Sequence, residues 1–185
     1  DAGQRIGGRA AQNRIDGTTL AQLDRVTATS LGVSVTSQST ATIVAVTAAA
    51  AVAAGVGAIG AGVSGAGAKA ENIITSSTQA RIVDSTLGTS TARAGDVTVS
   101  ATSTTAIKAV IAALAAAVAG GLGAGALAIG ASVAVNTLGE SGNPHEIVAA
   151  ITGTAIDRAG SVTVTATHHG SLEATVIAAA AAMAV

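Results

Sequence analysis

Three side chains near the end of the sequence are of the types that bind metal ions: His168, His169 and Glu173. Imidazole nitrogens and carboxylate oxygens are common zinc ligands. The two histidines are adjacent, however, and adjacent side chains of a strand point to opposite faces, so both could reach one ion only through a bend. We therefore expect a polar strand end at this position and no metal site.

The remaining candidates for chemistry are weaker. His145 stands alone in a polar turn, residues 139–146, where we expect it to be solvated. No Ser, His and Asp arrangement can be assembled from the spacing, and the many Ser and Thr residues are typical of the solvent-facing sides of strands. We predict no catalytic residue, no cofactor and no enzymatic activity. The turn is the most polar excursion of its region, so a ligand-binding module that uses residues 139–146 remains an alternative.

Two glycine-rich runs, residues 55–62 and 120–125, have the composition of phosphate-binding loops. A dinucleotide-binding motif requires a strand, then the glycines, then a helix. Here a predicted helix comes first and a predicted strand follows, so no helix N-terminus would face a phosphate. We interpret the glycines as helix C-caps followed by close approach of two backbones.

Composition restricts both the partners and the core. The chain of 185 residues has no Phe, Tyr, Trp or Cys, contains 23 Gly and one Pro, and carries a formal net charge of −1. Without excess positive charge or aromatic rings for base stacking, we expect no nucleic-acid partner. We also predict no small-molecule substrate. A core of Ala, Val, Ile and Leu can close only if the backbones come near one another.

An internal repeat organises most of the chain. The segment ARAGDVTVSAT (92–102) returns as DRAGSVTVTAT (157–167), 65 positions later, and GVSVTSQST (32–40) is an earlier copy at a spacing of 64. We divide the chain into four parts: an irregular or edge segment or the end of a preceding repeat (residues 1–31), two complete repeat units (32–94 and 95–159) and one partial unit (160–185). We expect the whole to be a segment of a longer polypeptide.

Periodicity within one unit predicts strand, helix, strand, strand. Residues 97–102 alternate as a strand does. Residues 105–119, TAIKAVIAALAAAVA, place apolar side chains at helical spacing among alanines and predict a helix that is apolar all round. Residues 127–136 alternate again, with a large-residue face and a small-residue face that we expect to be covered on both sides. Residues 146–156 form a third alternating run.

The predicted fold class is therefore an α+β repeat, a β-solenoid-like stack of strand-helix-strand-strand units of about 64 residues with buried Ala-rich helices. Such units cannot bury their apolar faces alone and must stack on their neighbours. The expected partners are neighbouring repeats of the same chain, with self-association into filaments or lateral bundles as an extension.

A membrane-active or pore-forming segment with glycine-zipper helices is the main alternative. No charge interrupts residues 39–68 or 109–139, and the glycine spacing resembles a zipper. The first predicted helix would end near residue 54, which leaves on the order of 21 Å, too short for a hydrocarbon core of about 30 Å. We therefore expect no membrane insertion.

The segments GDVTVSATSTT (95–105), LAIGASVAVNTL (127–138) and ITGTAIDRAGSVTVTAT (151–167) resemble the Ala, Gly, Val and Thr-rich repeats of giant bacterial surface proteins, the filamentous-haemagglutinin-like adhesins. The resemblance covers about residues 32–185. It implies an exported β-solenoid, located extracellularly or at the cell surface, that serves as a stalk, scaffold or adhesive surface. The Ala-rich segment is longer than a plain β-helix coil would hold, which implies a helix-bearing variant.

Overall fold

The computed structural model describes residues 2–29 and 32–185, and every regular element in these ranges is a β-strand. The strands are β1 (Ala2–Asp24), β2 (Thr27–Ala28), β3 (Val33–Val56), β4 (Ala61–Val83), β5 (Thr86–Leu87), β6 (Val97–Gly120), β7 (Gly125–Leu138), β8 (Glu146–Thr152), β9 (Ala155–Ile156) and β10 (Val162–Ala184).

The strands form three sheets, each of them parallel throughout. The front sheet has the order β10-β6-β3; the back sheet has the order β1-β4-β7, with β8 continuing beside β4 after β7 ends; the side sheet has the order β2-β5-β9. The chain therefore passes from front to back to side and returns to the front one strand further along. The structure is a stack of parallel strands.

Equivalent residues of successive copies pair with one another. In the front sheet Val33 pairs with Val97, 64 positions on, and Val97 pairs with Val162, 65 positions on. This is the spacing of the sequence markers. In the back sheet, Ala61 of β4 pairs with Gly125 of β7, whereas Ser77 of β4 pairs with Glu146 of β8, so the spacing of paired residues is five residues larger at β8. The turn between β7 and β8 contains these five additional residues.

The front and back sheets pack face to face across a thin interior. Side chains alternate along each long strand, so that every second residue of β6 is buried between the sheets. Alanines dominate the inner faces. A Cβ on Gly62 would lie 2.5 Å from the carbonyl oxygen of Val118, and one on Gly130 would lie 2.6 Å from that of Ala179. The sheets are thus close enough that certain positions accept only glycine.

The two ends of the long strands differ. At one end, which we call the turn edge, short turns (residues 57–60 and 121–124) join front directly to back. At the other end, the base edge, the side sheet and its loops close a wider space. Larger side chains fill that space, among them Ile82, Leu87, Val97 and Val99, all fully buried. We use turn-side half and base-side half for the parts of the strands next to each edge.

The predicted helix is wrong: residues 105–119 are part of β6, and the α+β class is replaced by an all-strand one. The apolar residues at helical spacing also satisfy a period of two. Ile107 and Ile111 point inward, whereas Val110, Leu114 and Val118 point outward. Alanine, the best helix former, fits both patterns. Pairing with β3 on one side and β10 on the other satisfies the backbone as a strand and overrides that preference.

Other predictions for short segments of the chain agree with the structure in whole or in part. The strands at 97–102 and 127–136 are confirmed within β6 and β7. The small-residue face of β7 is the one that approaches the front sheet, as expected. The large-residue face is not covered, because Leu127, Ile129 and Val133 are each more than half exposed. Among the described residues there is no helix that could cross a bilayer.

The N-terminal segment is an edge strand. β1 runs along β4 in parallel register from Ala2 to Asp24. The expectation for residues 1–31 also covers Asp1, Ser30 and Leu31, which lie outside the described residues.

Candidate functional site

A belt of polar side chains crosses the interior midway along the strands, and we call it the polar belt. It separates an Ala-rich cluster in the turn-side half from the Val, Ile and Leu cluster in the base-side half. Its members lie on inner faces and are mostly buried: Ser37, Ser39, Asn72, Ser76, Thr78, Ser103, Thr105, His145 and His168.

Three asparagines of the back sheet form a ladder through the belt. The amide nitrogen of Asn13 donates to the side-chain oxygen of Asn72 at 2.8 Å, and that of Asn72 donates to Asn136 at 2.9 Å. Asn136 in turn donates across to the backbone oxygen of Glu173 in the front sheet at 3.0 Å. Asn72 is fully buried, so its bonds with Asn13 and Asn136 satisfy an amide that water cannot reach. The ladder fixes the strand register at this level.

His145 lies within the same belt, although its solvation in the turn was expected. Its ring nitrogens face two hydroxyls, with Nδ1 3.1 Å from Ser76 Oγ and Nε2 3.4 Å from Ser103 Oγ. A neutral imidazole can donate to one and accept from the other. Burial lowers the pKa of His145 from its ordinary value of 6.5, the nearby His168 lowers it further, and a backbone hydrogen bond with Ser76 acts in the opposite direction.

The hydroxyls of the belt bond to one another across the interior. Ser39 and Thr78 lie 2.6 Å apart between front and back sheets, and Ser39 donates to Ser103 at 3.3 Å along the front sheet. Ser103 is fully buried and Ser76 nearly so. A serine beside a histidine is also the arrangement of a hydrolytic nucleophile, but here Ser76 and Ser103 are buried between the two sheets. The arrangement supports a structural role.

His168, His169 and Glu173 all lie inside β10, so the expected strand end at this position is wrong, and alternation along the strand places His168 and Glu173 on opposite faces. His168 points inward and shares a hydrogen bond of 2.9 Å with the Thr105 hydroxyl, and its ring lies 4.9 Å from that of His145. Glu173 lies on the outer face, 3.4 Å from the Lys108 ammonium. Across residues 2–29 and 32–185 no three His, Cys, Asp or Glu side chains are grouped so as to hold an ion.

The turn 139–146 is fastened to the rest of the molecule. Arg14 of β1 forms an ion pair with Glu140 at 2.6 Å, and the Asn143 amide donates to Asp16 at 3.2 Å. Because His145 also faces inward, Glu140, Asn143 and His145 of this turn all have partners within the molecule. The turn ties β1 to β7 across β4.

The glycine-rich runs form the turn edge. They are not helix C-caps, because the residues before them are strands. The Gly57 amide donates to the Gly120 oxygen at 3.2 Å and the Gly125 amide donates to the Gly60 oxygen at 2.8 Å, so the two turns bond to each other across adjacent copies. Gly121 has a φ of +142°, and a Cβ there would overlap the Gly57 oxygen. The runs allow consecutive turns to stack.

The outer surface of the front sheet is divided at the level of the polar belt. The base-side half carries mainly Ser and Thr, and the Lys108–Glu173 ion pair lies at the boundary. Beyond it every outward residue up to the turn edge is apolar or Thr175. We call the apolar residues the apolar front face: Val44, Val46, Ala48, Ala50, Val52, Ala54, Val56, Val110, Ala112, Leu114, Ala116, Val118, Ile177, Ala179, Ala181 and Met183.

The sequence offered a signal for one part of this arrangement. Asn72 and Asn136 stand 64 positions apart, the repeat spacing, and that coincidence could have indicated a ladder. No comparable signal marked His145, since it belongs to an insertion without an equivalent in the preceding unit. The apolar front face was hidden because its residues were assigned to a helix.

Comparison with known proteins adds no assignment, because no family model, no curated protein and no solved structure matches this chain.

Proposed function

We propose that this chain is a structural or adhesive repeat segment of a large extracellular or cell-surface protein, built as a β-solenoid. The observation that carries the proposal is the register: equivalent residues of successive copies pair at offsets of 64 and 65 along strands as long as 24 residues. Each copy therefore presents the surface that the next copy needs. Such an architecture extends by adding copies.

Further support comes from what fills the structure. Most polar side chains of the belt hydrogen-bond to one another, and His145 and His168 have Ser and Thr partners. The resemblance to adhesin repeats favours export, and the absence of Cys is compatible with it.

The first experiment duplicates residues 95–159 in tandem after residue 159. We expect the added copy to join the stack, so that the urea m-value and the free energy of unfolding both rise within a single transition. A shuffled copy of identical composition is the control and should leave both quantities unchanged. A second, separate unfolding transition for the authentic copy would show that copies do not stack.

The second experiment tests location. An antibody against residues 95–159 should label intact cells of the native source, and external protease should remove the label. Labelling that requires permeabilised cells would contradict the surface assignment, whatever the outcome of the duplication.

Neither of the two alternative functions is proposed for this chain. The pore-forming alternative needed glycine-zipper helices, and the residues assigned to them are strands. The ligand-binding alternative, with contacts in the turn 139–146, is less favoured, because Glu140, Asn143 and His145 already have intramolecular partners.

A further inference from the structure

We propose that the apolar front face is the docking site for a second copy of this chain, front sheet against front sheet. This docking site rests on the proposed function only in using the stacked strands. The second copy would lie beside the stack, whereas strand stacking adds copies along it.

Several outward side chains of this face are large and uncovered. The exposed fraction is 73% for Val46, 67% for Val52, 50% for Leu114 and 50% for Ile177. Sheets made only of parallel strands are normally covered on both faces. The inner face of the front sheet meets the back sheet, whereas large side chains on the turn-side half of its outer face, such as Val46, Val52 and Leu114, are at least half exposed.

The composition of the face changes sharply at the boundary. On the same strands, the outward residues of the base-side half include Thr36, Ser100 and Thr165. An outer face that only contacted water could have carried Ser and Thr along its whole length. The change to Val, Ala and Leu beyond Lys108 therefore indicates a surface that is covered in the assembled protein.

The area is sufficient for a reversible dimer. Three strands at about 4.8 Å spacing and about 36 to 40 Å of strand length give roughly 500 to 600 Å² on each partner. The total of about 1,000 to 1,200 Å² lies at the lower end of specific interfaces. We expect an association that dilution reverses.

The apolar front face has raised and recessed side chains that can fit against a second copy of the same face. Leu114 stands between Ala50 and Ala179 in its row, and Val52 adjoins Ala116 in the next. A shallow depression of about 330 Å³ lies among these residues. Projections and recesses on one surface are what a two-fold contact requires, because the same patch serves both partners.

Lipid is the less suitable occupant. β3 and β10 are the edge strands of the front sheet in the described residues, and their outer backbone amides and carbonyls would enter the hydrocarbon together with the apolar face. A facing sheet covers the side chains and leaves those edges in water. The observations thus favour a second copy.

The test is sedimentation of the whole chain over a range of concentrations up to hundreds of micromolar. We expect a monomer–dimer equilibrium in the unaltered protein. The double variant Val52→Asp with Leu114→Asp should weaken the dimer at least tenfold. Both side chains point outward and are at least half exposed, so the variant leaves the interior intact, as circular dichroism can verify.

Two controls carry the same added charge. Thr36→Asp with Ser100→Asp lies on the same two strands in the base-side half, and Val63→Asp with Ile129→Asp lies on the outer face of the back sheet. Both should dimerise as the unaltered chain does. Loss of the dimer in either control, or a monomer throughout the concentration range, would overturn the proposal.

A crosslink keeps the proposal testable if an aspartate variant fails to fold. The chain has no cysteine, so Ala116→Cys on the outer face of β6 supplies a single thiol. A short bismaleimide should join two Ala116→Cys chains and should fail to join two Thr102→Cys chains, whose thiol lies in the base-side half. Equal yields would contradict the proposal, as would flotation of the protein with phosphatidylcholine vesicles in place of dimerisation. Either result would leave the duplication experiment, and with it the stack, unaffected.

Discussion

The turn-side and base-side halves of the same strands fill the space between the front and back sheets in two different ways. In the turn-side half the inner residues are mostly alanine, the sheets lie close, and apolar side chains point outward. In the base-side half Val, Ile and Leu point inward, a third sheet closes the space, and hydroxyls point outward. The size of the inner side chain therefore sets how far apart the sheets lie, and the larger residues go to whichever face has room.

The base-side half should suffer most from loss of volume. Leu87 is fully buried in the side sheet, and Leu87→Ala should lower the free energy of unfolding by about 2 to 5 kcal/mol, because a cavity remains. Leu122→Ala at the turn edge is the matched control, since Leu122 is wholly exposed. Urea denaturation measures both. Equal losses would remove the distinction between the halves.

The polar belt between the halves should depend on its central asparagine. Asn72→Ala breaks two hydrogen bonds and leaves the Asn13 amide and the Asn136 oxygen without their partner, so we expect a loss of about 2 to 3 kcal/mol. Asn13→Ala removes only the last bond of the ladder and should cost about half as much. Thermal unfolding compares the two, and an equal cost would show that the ladder does not act through Asn72.

The turn-side half should suffer from added volume. Ala113 is fully buried between the close sheets, and Ala113→Leu should cost about 1 to 3 kcal/mol, because the backbones would have to separate. Ala112→Leu places the same side chain on the outer face of the same strand and should change stability by less than about 0.5 kcal/mol. A tolerated leucine at position 113 would mean that the sheets are not held close.

One residue of the turn-side interior is polar without a partner. The Thr47 hydroxyl is buried and makes no hydrogen bond to any of the described residues. Thr47→Val should therefore raise the free energy of unfolding by about 1 kcal/mol. Thr42→Val, on the exposed outer face, is the control and should have little effect. A destabilised Thr47→Val protein would show that the hydroxyl is satisfied in solution.

The smallest expected effect is that of pH on the polar belt. Because the pKa of His145 is lowered on folding, the unfolded chain binds the proton first as pH falls below 6.5. The stability that depends on neutral His145 is thus complete above pH 6.5 and declines below it, until the pKa of the folded state is reached. Urea midpoints at pH 7.5 and 5.5 should show this decline, and His145→Gln should reduce it. An unchanged decline in that variant would assign the effect to other groups.

The sequence was informative where residue size alternated and ambiguous where alanine filled both faces. Residues 127–136 alternate large and small, so a strand was predictable there. Residues 105–119 contain so much alanine that a helix and a strand fit equally well, and only the neighbours 64 and 65 positions away decide between them.

The interior site was less predictable than the fold. Pairing of Asn72 with Asn136 follows from the repeat spacing, because a parallel register brings equivalent residues together. The inward position of His145 depends on how an inserted turn is anchored by Arg14 and Asp16, which lie far away in sequence. Such contacts leave no periodic signal.

The length of the strands has a mechanical consequence. A strand of 24 residues is about 80 Å long, whereas neighbouring strands lie only about 4.8 Å apart, so each copy advances the stack very little. Tension along the stacking direction would open one strand's bonds in succession, like a zipper. Tension along the strands would load the whole row of bonds at once, in shear, and a protein of this design should resist the second kind of force far better than the first.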